Sequence, residues 1–365
     1  MSALVTGPDR ADVVQDAAEA AAAPRPPLLV LDPLQRYLDG LGIPAGTLAW
    51  RRIGDGQANV TYEVRRGGER MVLRRGPRPP FPPSAHDMVR EARVVAALGA
   101  VGVRVPRVRA VCDDLAVLGV PFYLMDYVEG EVVTTSLPPG FDGPGAATAL
   151  VHAAVDTLAD LHQVPLEGEV AGLGRPAGYL DRQVRRFAQL WPVNTRRSVP
   201  VVDRLAERLA ATVPRSARAT VVHGDYRLGN LLFAAPDRLA AVLDWEMATL
   251  GDPLADLGYL VATYSAAGEV RTPMDLTPVT AGPGFPSRAG LVERYAARTG
   301  ADLENLAWYE ALALWKSTIF CEAIYTRWLD GQRPDDTFAP GLAEGVPLMA
   351  DVAAQALSRA EEGRR

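Results

Sequence analysis

Asp225, Asn230 and Asp244 carry the oxygens whose spacing most constrains what this chain can do. They stand in His223-Gly224-Asp225-Tyr226-Arg227-Leu228-Gly229-Asn230-Leu231-Leu232 and, after the apolar run Ala240-Ala241-Val242-Leu243, at Asp244. A loop entering a strand would carry Asp225 and Asn230, and the next strand would end at Asp244, so the three side chains converge where two strand ends meet. Phosphoryl transfer from ATP needs such a set: a carboxylate that accepts a hydroxyl proton, with an amide oxygen and a second carboxylate that hold Mg²⁺. Asp225 is the candidate base, and Asn230 and Asp244 are the candidate metal ligands. Singly, each has a plain structural reading as a loop residue, an Asx turn or a helix cap. Their joint spacing between two strands favours the chemistry.

The elements that must position this set are legible from periodicity. Leu34, Leu38 and Leu41 mark one helical face that stops at Gly42-Ile43-Pro44. A β-rich stretch follows: Trp50 to Ile53, then Val60 to Val64, a turn at Gly67-Gly68, and Met71 to Arg74. A helix is expected over His86 to Leu98, and strands over Val108 to Val111 and Phe122 to Met125, with Asp126 to Glu131 as a connector. Beyond residue 146 the pattern turns helical, with Ala147 to Leu161, Asp181 to Leu190 and a buried Trp308 to Trp328, interrupted by the motif strands near 221 to 244. The division read from this is a disordered tail over 1–27, a β-rich nucleotide-binding lobe over 28–127, and a larger helical lobe over 128–365. The Ala17 to Ala23 run has too little apolar bulk to dock.

Gly54-Asp55-Gly56-Gln57-Ala58-Asn59 between two strands suits a loop over ATP phosphates, with Gly54 and Gly56 letting backbone N–H groups approach the anion, although a plain hairpin turn has the same look. The next strand ends in Arg74-Arg75 and the next helix carries Glu91. A strand cation oriented by a helix carboxylate is how α- and β-phosphates are held in kinases, with Arg74 in the place of the usual Lys. Arg75 is the rival, since adjacent strand residues face opposite ways; with Arg74 inward, Val72 shares its face and would cover adenine. Asp126 and Val128, in the connector, would lie along the adenine edge.

His162 and His223 read as histidines that orient backbone, and Asp252 and Asp256 as caps of a helix opened by Pro253. Lys316, Glu322 and Arg327 punctuate the last apolar helix and either line a substrate pocket or snorkel to the surface. Arg288 is a further candidate cation in the helical region.

Composition excludes several classes. With 365 residues, 48% apolar content and mean hydropathy near zero, the chain reads as globular and soluble. Net charge is −6 and the 38 basic residues form no dense tract, which argues against a nucleic-acid partner. No apolar run reaches membrane-spanning length, the start lacks a secretory signal, and Cys112 and Cys321 suggest neither a disulfide framework nor zinc. A cytoplasmic location is expected. Oligomeric state and a preference for ATP over GTP are not legible.

The five-residue interval from Asp225 to Asn230 matches the kinase pattern H-R-D-x-x-x-x-N, with Gly224 for its Arg and Asp244-Trp245-Glu246 for D-F-G. The chain resembles the aminoglycoside phosphotransferase and choline kinase branch of the kinase fold. Within it, the runs Val222 to Leu232, Val242 to Glu246 and Thr249 to Asp256 are similar to the phosphotransferases associated with acyl-CoA dehydrogenases, as are Leu73-Arg74-Arg75, Ser84-Ala85-His86-Asp87 with Arg90-Glu91, Pro121 to Met125, and Gly174-Arg175-Pro176. The resemblance spans about residues 30 to 350. It implies an α+β, protein-kinase-like bilobal fold and a Mg·ATP-dependent kinase of small-molecule hydroxyls, with a hydroxyacyl-CoA or related hydroxy acid as acceptor. The alternatives are an aminoglycoside or macrolide antibiotic kinase and a nucleotide-binding protein without turnover.

Overall fold

The computed structural model describes residues 12–54, 59–79, 86–332 and 335–363. The chain divides into two units, Met1–Glu129 and Gly130–Arg365. The division falls two residues beyond the expected lobe boundary.

The first unit holds β1 (Val13–Val14), α1 (Ala17–Ala22), β2 (Leu29–Val30), α2 (Leu31–Gly40), β3 (Ala49–Ile53), β4 (Val60–Arg66), β5 (Glu69–Arg75), α3 (Met88–Ala100), β6 (Val108–Cys112), α4 (Leu115–Leu118) and β7 (Phe122–Asp126). Its sheet runs β3-β4-β5-β7-β6, antiparallel throughout. The hairpin β4–β5 turns on Gly67 and Gly68, both at positive φ as a tight two-residue connection requires. Alternation sorts side chains to two faces. Leu73, Met71 and Leu124 enter one cluster with Leu28, Leu29, Leu34 and Leu38. Val72, Tyr123 and Met125 meet Met88 and Ala92 of α3 on the other.

Two expectations are corrected in this unit. The supposed tail is folded from residue 12 onward: β1 pairs in parallel with β2, and Asp16 caps α1 by accepting the N–H groups of Ala18 and Glu19 at 2.8 and 2.9 Å. Docking comes from strand pairing, from Val13, Val14 and Ala20 packed against the core, and from Asp12, which binds Arg25 at 2.7 Å and also Arg78. Residues 1–11 lie outside the described residues. Asp126, expected in a connector, is instead the last residue of β7, paired in register with Met71.

The second unit holds β8 (Glu131–Val132), α5 (Ala146–Leu161), α6 (Gly168–Ala171), α7 (Tyr179–Asn194), α8 (Pro200–Ala211), β9 (Thr220–Val222), β10 (Leu231–Ala235), β11 (Arg238–Val242), β12 (Thr249–Gly251), α9 (Leu254–Thr263), α10 (Arg288–Thr299), α11 (Leu306–Leu329) and α12 (Leu342–Glu362). Its strands form two small sheets, β11-β10-β8 and β12-β9. Its core joins α7, α8, α11 and α12 around Phe187, Trp191, Leu205, Trp308, Trp315, Met349 and Leu357. Residues around most of α11's circumference are buried, as its apolar sequence requires. No helix among the described residues is long and apolar enough to cross a membrane.

Candidate active site

The loop between β9 and β10 carries Asp225. Gly224 opens it at φ 87°, and a Cβ there would lie 2.9 Å from both the Cβ and the carbonyl oxygen of Met247, so the position needs glycine for conformation and for space. A short 3₁₀ turn, Leu228–Asn230, then delivers Asn230 to the start of β10. The Asn230 amide nitrogen donates to the Asp225 carbonyl at 2.9 Å and to Asp225 Oδ2 at 2.8 Å. Its own oxygen is thereby the atom left for a cation. Leu243 donates its N–H to the Asn230 carbonyl at 2.8 Å, which sets Asp244 one residue from Asn230's cross-strand partner. Asp244 takes φ 65°, a left-handed conformation uncommon outside glycine and typical of functional positions. Asp225 and Asn230 thus form one hydrogen-bonded pair, and Asp244 follows next to Leu243, two residues past the end of β11 rather than on it.

The other carboxylate oxygen, Asp225 Oδ1, is buried without a hydrogen bond. Arg227 Nε pairs with it at 3.5 Å, and the partly buried Tyr259 of α9 interacts with the same carboxylate through its hydroxyl. A buried acceptor left open is costly unless a ligand completes it.

His223 orients backbone, as expected, whereas the buried His162 ring meets the side chains of Asp256 and Tyr295. His223 donates from Nε2 to the Leu243 carbonyl at 2.9 Å and accepts the Asp225 N–H on Nδ1 at 3.2 Å, so one ring ties the base loop to the strand end before Asp244. Asp252 fits the cap reading, since it accepts the Leu254 N–H at 2.9 Å. Asp256 does not. It is fully buried and accepts the N–H groups of His223 and Gly224, each at 2.7 Å, with His162 Nε2 at 3.3 Å. Burial works against its charge, yet His162 and these donors hold its carboxyl below the usual range. Tyr295 completes the chain by donating to His162 Nδ1 at 2.7 Å.

In the first unit, Arg74 Nε lies 2.9 Å from Glu91 Oε1, and Tyr123 donates to the same oxygen at 3.2 Å. Glu91 is buried in the first turn of α3, whose cap is Asp87. The register places Arg74 opposite Tyr123 and Val72 opposite Met125, on one face, as the alternation required. Arg75, the rival, points the other way. It is buried and donates to the carbonyls of Gly76 at 2.9 Å, Leu118 at 3.4 Å and Leu28, with burial lowering its pKa to about 10. Gly54 ends β3 at φ 74°; Gly56 lies outside the described residues. Asp126 donates its N–H to the Arg107 carbonyl at 2.9 Å. Burial opposes the charge of its carboxyl, but Arg109 and Arg107 hold the pKa down. Val128 follows, partly buried.

Of the expected pocket cations, Arg288 is committed to the Tyr264 carbonyl at 2.7 Å and Glu269 at 2.6 Å, and Arg327 bonds the Ala323 carbonyl of its own helix at 3.2 Å. Glu322 is buried against Arg197 at 2.8 Å. Lys316 stands 4.8 Å from the centroid of the Phe187 ring, and burial lowers its pKa to about 8. Among the described residues no cluster of three or more His, Cys, Asp or Glu side chains is placed to hold an ion. The oxygens of Asn230 and Asp244 nonetheless suit Mg²⁺, which binds through one or two carboxylates and takes its other ligands from phosphate and water.

The model of the phosphotransferase enzyme family matches residues 49–312, which include Arg74, Glu91, Asp225, Asn230 and Asp244. The chain belongs to this family. The chicken (Gallus gallus) acyl-CoA dehydrogenase family member 11 is 34% identical to this phosphotransferase over 301 residues, covering 79% of the chain and 38% of that protein. The phosphotransferase thus spans less than half the length of this curated relative. A solved structure from Ralstonia eutropha JMP134, assigned to the aminoglycoside phosphotransferases, matches with TM-score 0.73 and 28% identity over 91% of this chain and 98% of the other. Aminoglycoside phosphotransferase APH(4)-Ia, solved with AMP-PNP and hygromycin B, matches with TM-score 0.60 and 17% identity over 89% and 98%, and shares the fold. The α+β, protein-kinase-like architecture is therefore that of the family.

Proposed function

We propose that this phosphotransferase transfers the γ-phosphoryl group of Mg·ATP to a hydroxyl of a small molecule. The observation that carries the reading is the divided Asp225 carboxylate: Oδ2 is held by Asn230 at 2.8 Å, while Oδ1 is buried without a hydrogen bond and faced by Arg227 Nε at 3.5 Å. In this reading Asp225 orients the hydroxyl and accepts its proton as the oxygen bonds to phosphorus and the bond to ADP breaks. Asn230 Oδ1 and the Asp244 carboxylate hold Mg²⁺, which when bound neutralises charge on the phosphate oxygens. Arg74, steadied by Glu91, meets the phosphates, with Gly54 and Gly56 over them and Asp126 and Val128 along the adenine edge. Catalysis then rests on positioning and charge stabilisation, with no covalent intermediate on the protein.

For the acceptor, the similarity to acyl-CoA dehydrogenase family members supports a hydroxyacyl-CoA or a related hydroxy acid. Likeness to antibiotic kinases is a likeness of fold. The test is ADP release by the purified protein with hydroxyacyl-CoAs, hydroxy acids, aminoglycosides and macrolides. Turnover confined to the antibiotics would replace the acceptor assignment; nucleotide binding with no turnover on any of them would point to a binding protein.

A further inference from the structure

His86 and Asp244 are the two non-glycine residues at positive φ among the described residues. Asp244 belongs to the proposed metal site. His86 takes φ 57° in the first unit, within the run Ser84-Ala85-His86-Asp87. Such a conformation persists in a non-glycine residue only where its surroundings over-determine it, and it concentrates at functional positions.

The contacts of His86 reach three elements. Its ring donates from Nδ1 to Oδ1 of the buried Asn59 at 2.8 Å. Asn59 leads into β4, where Thr61 is paired across the ladder with Arg74 and holds its hydroxyl 3.5 Å from Arg74 Nη1. Just past the end of β5, a Cβ on Gly76 would come within 3.3 Å of the His86 Cβ, so His86 lies close against the backbone there. The chain then runs from His86 into α3. Asp87 caps that helix by accepting the Arg90 N–H at 2.9 Å, and the Asp87 carbonyl accepts the Glu91 N–H at 2.9 Å. His86 therefore joins the strand ends beside Arg74 to the helical turn that carries Glu91. Val72 and Tyr123 pack against Met88 and Ala92 of α3, but apolar contact is non-directional and leaves the helix free to slide along the sheet. A short hydrogen bond at the start of the helix removes that freedom.

We propose that His86 is a positioning residue for the phosphate-binding cation: by tying Asn59 to the start of α3 it keeps Glu91 where it orients Arg74. The left-handed backbone turns the ring back onto Asn59. What Arg74 binds rests on the phosphotransferase reading, and His86 acts through Arg74 rather than on the nucleotide.

Two variants remove the tie from opposite ends, and a third keeps it. His86→Gly accepts φ 57° freely and deletes the ring, and Asn59→Ala deletes its acceptor. His86→Asn tolerates the left-handed backbone and presents an amide N–H where Nδ1 stands. In ¹⁵N-labelled full-length protein without nucleotide, the Arg74 Nε–H signal, identified by its loss in Arg74→Lys, reports the pairing with Glu91. Its exchange with solvent should quicken ~3- to 10-fold in His86→Gly and in Asn59→Ala, the scale of one lost hydrogen bond, and stay near wild type in His86→Asn. Calorimetry should show Mg·ATP binding weakened by a similar factor in the first two variants and retained in the third. His86→Gly should add little to Arg74→Ala, since the two residues act as one unit. A merely structural histidine predicts a lower melting temperature in His86→Gly with Arg74 exchange and Mg·ATP affinity unchanged, or losses that add in full to those of Arg74→Ala; either result overturns the proposal. Wild-type protein that binds no Mg·ATP would sink the phosphotransferase reading instead, while the exchange rates still decide whether His86 sets the Arg74 and Glu91 pair.

Discussion

Asp256 holds the backbone N–H of His223 at 2.7 Å. The base loop is therefore hung from the first turn of α9 by a carboxylate that touches no reacting atom. Asp256→Asn keeps the shape but offers one acceptor oxygen for two backbone donors and His162. Breaking such a buried charged network costs about 3–5 kcal/mol, so denaturant unfolding should show a lower midpoint, and kcat should fall more than the ATP KM rises.

Asp225→Ala should reduce turnover on the order of 10²-fold or more while Mg·ATP still binds. Steady-state kinetics alongside nucleotide titration separate the two effects. A variant with near-normal kcat would remove Asp225 from the role of base.

Asp244 combines a left-handed backbone with the proposed metal contact, and substitution can separate the two. Asp244→Gly should relieve the φ 65° conformation and leave the unliganded melting temperature unchanged or raised. It should also shrink the extra stabilisation that ATP gives with Mg²⁺ over EDTA. An undiminished Mg²⁺-dependent increment would take Asp244 out of the metal site.

Arg74 and Arg75 should fail differently. Arg74→Ala should raise the ATP KM or lower kcat, and Glu91→Ala should add little to it, since residues that act as one unit are not additive. Arg75→Ala should leave the Gly76, Pro27, Leu28, Leu118 and Pro77 carbonyls without that donor and lower stability with little effect on kcat/KM of the remaining folded enzyme. Equal kinetic damage from both would contradict the register of β5.

Glu63 gives the first unit a pH dependence. Burial opposes its charge, but Arg70, Arg51 and Arg65 bring its pKa down to about 2. A carboxyl depressed on folding stabilises above its unfolded value and loses that contribution as pH falls toward the folded one. Glu63→Gln should thus cost about 2 kcal/mol near pH 7, after allowance for solvent screening at the half-exposed arginines, and progressively less from pH 4.5 toward 2. Urea titrations of both proteins at several pH values would measure the convergence.

What was legible in the sequence was what strict local rules govern. The two-residue period placed Arg74 and Val72 on one face, and the interval from Asp225 to Asn230 foretold a cluster joined by real hydrogen bonds. What was missed depends on contacts far apart in the chain. Asp256 looks like a cap because Pro253 opens the helix beside it, and nothing local shows that it faces His223, 33 residues earlier. Likewise Arg75 stands as a rival to Arg74 until Leu28 and Leu118 bring their carbonyls to it. Lys316 was read as lining a pocket or reaching the surface, but its aromatic neighbour Phe187 comes from a helix more than a hundred residues away.

The pairing of β1 with β2 bears on where this catalytic module can be cut. A truncation placed at residue 28, where composition changes, would take away the strand that Leu29 and Val30 pair with and the Asp12 partner of Arg78. The Leu28 carbonyl that Arg75 binds would then sit at a frayed new terminus. Wherever this module is joined to another polypeptide on its N-terminal side, the junction belongs before residue 12, and the nineteen-residue stretch from Asp12 to Val30 travels with the first unit, its two strands paired with each other.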